Sequence, residues 1–121
     1  MSARIVLTTN YDFAQRFQLK LNGVTFDMSG AGTVEAALID PADNAIILAA
    51  VAQTDTGNAD WSTSIVEVVF TEANTAAIQT ALLAKYAQVE TELILEIRVE
   101  QATSKPWRYR PIAIEQGFIT S

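Results

Sequence analysis

The chain has 121 residues, 50% of them hydrophobic and 18% charged, with no cysteine and no histidine. A domain of that length buries roughly two thirds of the surface its unfolded chain exposes, so it needs no disulfide or metal to hold it together. Eight basic against fourteen acidic side chains leave a formal charge of −6, which repels phosphate backbones and argues against a nucleic-acid partner. Without histidine or cysteine, zinc sites, thiolate chemistry and the familiar Ser or Cys triads lose their usual side chains.

Arg4 to Thr8 reads as a short first strand, set off by the polar cluster Thr9 to Asp12 from a second running over Phe13 to Asn22. In the latter, Phe17, Leu19 and Leu21 alternate with Arg16, Gln18 and Lys20, a period of two that marks one dry and one wet face. Asn22-Gly23 is a strong hairpin signal, because both residues tolerate positive φ, and Val24 to Phe26 starts the return strand. A turn-rich corner over Asp27 to Gly32 leads into a strand over Thr33 to Ile39. Asp40-Pro-Ala-Asp-Asn44 follows as a type I turn, with Pro41 presetting φ and Asp40 bonding forward to the backbone. Ala45 to Val51 is apolar on both faces and is expected to be a buried strand.

The segment Gln53 to Asp60 reads as a flexible loop with Gly57-Asn58 at its tip. A strand from Trp61 to Phe70 leaves it, with Val66, Val68 and Phe70 on one face. Glu72 to Tyr86 is the only run of good helix formers, with Thr71 as N-cap and Glu72 favouring the helix dipole. Its shallow stripe of Ala73, Ala77, Ile78, Ala81, Leu82 and Ala84 suits packing across a sheet edge or sandwich end. Glu90 to Gln101, a turn at Ala102 to Lys105 and a strand over Pro106 to Thr120 close the chain as a long hairpin. In its first arm Leu93, Leu95, Ile97 and Val99 alternate with Glu96, Arg98 and Glu100.

No linker or repeat divides the sequence, so a single domain over residues 1–121 is expected. The fold class expected is mainly β, a two-sheet antiparallel Ig-like sandwich with one crossover α-helix at about residues 72–86. No stretch approaches about 18 consecutive apolar residues, so no membrane span is expected. The apolar run near the N-terminus is too short for a signal peptide, which implies synthesis in a bacterial or host cytoplasm.

Three constellations bear on chemistry. Asp55, Asn58 and Asp60 could offer oxygens to calcium, but an EF-hand-type spacing would put a donor where Gly57 stands, and a solvated loop is the plainer account. Carboxylate pairs of the glycosidase kind, Glu96 with Glu115 or Glu67 with Glu100, lie on outward faces where charge is ordinary. No catalytic, metal or cofactor-binding residue is therefore assigned. Trp61, Trp107 and Tyr109 are the more informative set. Trp107 and Tyr109 share one face of the last hairpin, with Arg108 and Arg110 on the other. Such rings can stack on sugars, anchor a protein interface, or simply cover the core; Arg108 and Arg110 have in-sheet acids, Glu96 or Glu100, to pair with.

The order of these signals resembles the N-terminal Ig-like domain of tailed-phage baseplate upper proteins. The likeness lies in Phe17 to Ala31 with its corner Asp27-Met-Ser-Gly-Ala-Gly-Thr-Val34, in the strand and crossover Val66 to Ala77, in the strand Glu92 to Val99, and in the closing strand Ile112 to Ile119. It covers about residues 13 to 120. The longer proteins of that family carry receptor-binding machinery downstream, which has no counterpart in these 121 residues. The resemblance implies a non-enzymatic tail or baseplate module in the virion, with other phage structural proteins as partners, no membrane or nucleic-acid role and no cofactor. Homo-oligomerisation is expected from the symmetry of such particles. The candidate interface is Trp61, Trp107, Tyr109 and Arg110, with the Gln53 to Asp60 loop; a carbohydrate-binding module using Trp61, Trp107 and Tyr109 is the alternative.

Overall fold

A computed structural model describes residues 5–21, 23–25, 33–54, 61–101 and 103–117. Among these residues are nine strands and one α-helix: β1 (Ile5–Thr8), β2 (Phe13–Gln18), β3 (Lys20–Leu21), β4 (Val24–Thr25), β5 (Thr33–Ile39), β6 (Ile46–Gln53), β7 (Ile65–Phe70), α1 (Glu72–Tyr86), β8 (Thr91–Gln101) and β9 (Thr103–Glu115). The protein is mainly β with one helix, as the alternation predicts. A five-stranded sheet runs in the order β1-β9-β8-β5-β6, and β2-β7 and β3-β4 form two-stranded ribbons. The expectation of purely antiparallel pairing fails at one place, because β1 runs parallel to β9, with Ile5 opposite Ile112.

One face of the five-stranded sheet and the β2-β7 ribbon share a single core. Val34, Ala36 and Leu38 of β5, Leu95, Ile97 and Val99 of β8, and Ile112 and Ile114 of β9 meet Phe13, Phe17, Val66, Val68 and Phe70. Phe13 and Phe70 are cross-strand partners whose rings stack at 5.8 Å. Each such buried side chain contributes about 1.5–3 kcal/mol relative to exposure.

Several boundaries differ from the sequence reading for identifiable reasons. The second strand breaks at Leu19, where its N–H donates to the Ser64 carbonyl and the chain leaves β7 to form the β3-β4 hairpin around Gly23, at φ +80°. Trp61–Thr63 is a 3-10 turn ended by Ser64 at positive φ, so β7 starts four residues later than expected. β6 is apolar but not deeply buried, because it is the sheet's edge, and Ile46 is 67% exposed. Gln53 belongs to β6 rather than to a loop: it is buried, its amide nitrogen donates to the Val69 carbonyl and its amide oxygen accepts from the Val69 N–H. It thereby mimics a peptide group between β6 and β7. In β9, Arg110 and Pro111 together oppose the single Ile94, a bulge that accommodates a proline lacking an N–H. Phe26 and the corner over 27–32 lie outside the described residues.

The helix begins where Thr71 predicts. Its side chain accepts from the Asn74 N–H while Asn74 returns a bond to the Thr71 N–H, a reciprocal cap. The polar corner Thr9 to Asp12 holds the same end. Asp12 accepts from the Glu72 N–H, Thr75 donates its hydroxyl to the Tyr11 carbonyl, and Thr9 and Asn10 both donate to the Gln79 side chain. Gly117 closes against this corner, and a Cβ there would lie 1.9 Å from the Thr9 carbonyl oxygen. Ile78 and Leu82 are the helix's buried apolar residues, and α1 lies against β6 and β7.

Candidate functional site

Trp107 and Tyr109 share a face, as their spacing predicts, and that face is the inner one. Both are partly buried against the core, as is Trp61. The Tyr109 ring lies 4.6 Å from that of Phe17, tilted by 41°, and burial pushes the Tyr109 phenol's pKa up. The Trp107 indole donates to the Lys20 carbonyl at 3.1 Å. Trp61 opens the 3-10 turn whose Ser64 carbonyl holds Leu19. Trp107 and Tyr109 thus meet near the β2-β3 junction, on the Lys20 carbonyl and the Phe17 ring, while Trp61 packs on the core. Its indole N–H notwithstanding, which is buried without a hydrogen bond among the described residues, Trp61 has the same packing role. Arg110 lies in β9, with its side chain outside the described set, and residues 55–60, with the expected calcium donors Asp55, Asn58 and Asp60, lie outside it too.

The opposite face of the same hairpin carries a charged cluster. Alternation puts Glu96, Arg98 and Arg108 outward, and register sets Glu96 opposite Arg108. Glu96 is nonetheless buried, at 7% exposure, which departs from the ordinary solvated face expected of it. The reason is central placement: β8 has a strand on either side, and both neighbours contribute side chains to the row. One Glu96 oxygen accepts from Arg98 Nη2 at 2.8 Å, the other from Arg108 Nε at 2.9 Å. The expected Glu96–Arg108 pairing is therefore present, while Arg98 adds a second partner through its i+2 position on the same face. These three, with Glu35, Ala37 and Ala50, line an open cleft of about 310 Å³ that reaches Ile39 and Ile46 at one end.

A second cluster joins the C-terminal end of α1 to the β5-β6 turn. The Asp40 side chain accepts from the Ala42 N–H at 2.9 Å, the forward bond its turn position predicts. It also accepts from the Tyr86 hydroxyl and from Lys85 Nζ at 2.7 Å, and Lys85 reaches both oxygens of Asp43. The Lys85 ammonium, then the Tyr86 hydroxyl, hold the Asp40 carboxyl at about 2, well below its ordinary 3.8, against the opposing effect of burial. Asp43 is lowered by Lys85 in the same way, and the two carboxylates raise Lys85. The helix ends on Ala87 in the left-handed region, its N–H bonded to the Leu83 carbonyl.

Among the described residues, no three acidic side chains converge as a metal site requires, and no helix is long and apolar enough to cross a membrane. Comparison with protein-family models and with curated proteins gives no match.

Proposed function

We propose that this chain is a non-enzymatic structural and interaction module of a tailed-phage particle, associated with the tail or baseplate and built as an Ig-like sandwich. One observation carries the non-enzymatic part of the reading: the buried polar side chains are committed to holding elements together. Gln53 links β6 to β7, Thr75 links α1 to the Thr9–Asp12 corner, Asp40 links the β5-β6 turn to α1, and Glu96 links β8 to β9. Polar groups so engaged make a rigid body and leave little poised for proton or group transfer.

Support for the particle reading comes from the resemblance in the order of motifs. The strand and crossover read over Val66 to Ala77 correspond to β7 and the first part of α1, and Glu92 to Val99 falls within β8. In this reading the chain works by subunit contacts, in homo-oligomers and with other phage structural proteins, and resides in the virion. The contact surface includes the last hairpin with Arg110, which Trp107 and Tyr109 brace from the core side, and the neighbourhood of Trp61. The carbohydrate-binding alternative needs free ring faces, whereas Trp61, Trp107 and Tyr109 all pack on the core.

The reading is tested by inducing a lysogen that carries the gene and analysing density-purified particles by quantitative mass spectrometry. The chain is expected at a fixed copy number per particle. Its presence in the lysate but absence from intact particles, tails and baseplates would overturn the proposal.

A further inference from the structure

The cleft on the outward face of the five-stranded sheet is not an ordinary solvated surface. Ala37, Glu96 and Arg108 stand in one cross-strand row, and Glu35 pairs with Arg98 in the next. The small Ala37 and Ala50 leave the space that the cleft occupies. At its floor Glu96 has each oxygen engaged by a different arginine, which fixes both guanidinium groups. Both arginine side chains remain 51% exposed. A guanidinium carries five N–H donors, and beyond the bonds to Glu96 those of Arg98 and Arg108 have no partner among the described residues.

We propose that this cleft binds an extended segment of a partner protein that carries a carboxylate beside small apolar side chains, with Arg98 and Arg108 donating to the carboxylate. The chemistry is specific in two respects. Oriented guanidinium forks match a planar carboxylate, and their bonds to it are charge-assisted. The cleft as a whole holds two arginines against Glu96 and Glu35, and the chain is acidic overall, so it offers directed donors rather than a basic field that would draw polyanions. Small and acidic side chains two residues apart on an extended segment share one of its faces, so a segment lying over the cleft sets apolar groups against Ala37 and Ala50 and a carboxylate against the arginines. The inference goes beyond the particle reading and does not rest on it: particle composition tests that one, and peptide binding tests this one.

The experiment is fluorescence anisotropy with the whole chain and a labelled peptide in which one glutamate has alanine two residues away on either side and serine at the positions between, against the matched glutamine peptide. Saturable binding of the glutamate peptide is expected, weakening as salt is added. Arg98→Gln and Arg108→Gln each weaken it by about tenfold, the value of one charge-assisted bond. Should those variants unfold, two exposed-face changes decide the matter: Ala50→Glu blocks the cleft and abolishes binding, while Glu35→Gln removes a competing carboxylate and tightens it. Equal binding of the two peptides, no binding at all, or binding that survives Ala50→Glu unchanged would overturn the proposal.

Discussion

At Glu96 one buried carboxylate faces two half-exposed guanidinium groups; at Asp40 and Asp43 two carboxylates face one ammonium. The two clusters also differ in what holds their members near each other. Glu96 and Arg108 are cross-strand partners, so the β8-β9 ladder keeps them opposed whatever their charges do. Asp40 and Tyr86 lie 46 residues apart in the chain and belong to elements that share no backbone ladder. The sheet cluster is thus a consequence of the fold that leaves donors free, whereas the helix cluster is one of the contacts that make the fold. Similar ion pairs serve different ends according to whether the backbone has already brought them together.

The largest test of this contrast removes both guanidinium groups. Arg98→Gln with Arg108→Gln leaves a buried carboxylate uncompensated and should cost about 3 kcal/mol in urea unfolding, even though no ladder bond is touched. Asp40→Ala comes next, at about 2 kcal/mol, since it removes a buried side chain that accepts from the Ala42 N–H, Lys85 and the Tyr86 hydroxyl at once. Asp40 also gives the contrast a pH axis. Its folded pKa of about 2 lies below the ordinary 3.8, so its contribution is complete above the unfolded value and disappears as pH falls towards the folded one. Acid unfolding of the Asp40→Ala variant should therefore show a shallower loss of stability between those two values than the parent. Thr71→Ala, at the other end of the same helix, removes the reciprocal cap and should cost about 1 kcal/mol. A cap loss exceeding that of Asp40→Ala would mean that α1 is held from its start rather than its end.

Much of this was legible from the residues, and the rest depended on neighbours that sequence does not display. The run Leu93, Leu95, Ile97, Val99 reads as a strand because its dry face is continuous, and Thr71 reads as a cap because short hydroxyl side chains satisfy free helical N–H groups. β6 reads as buried in the sequence because an apolar composition does not distinguish a central strand from an edge; only the order of strands does. The same order explains why Glu96 is buried. Alternation assigns it correctly to the outward face, but whether that face is wet depends on Ala37 and Arg108 from across the sheet and on Arg98 two residues along the same strand. Spacing places Trp107 and Tyr109 together, and which face of β9 meets Phe17 decides between core and surface. The parallel β1-β9 pair has no local signal at all, since Ile5–Thr8 meets Ile112–Glu115, far away in sequence.

That last pairing has a kinetic consequence. With β1 joined to β9, the five-stranded sheet stays incomplete until β9 and every strand before it have left the ribosome. Contacts so distant in sequence slow folding, by the correlation between rate and contact order. Meanwhile the nascent chain holds its first strand without a mate, a period in which a chaperone or a neighbouring copy can compete for it.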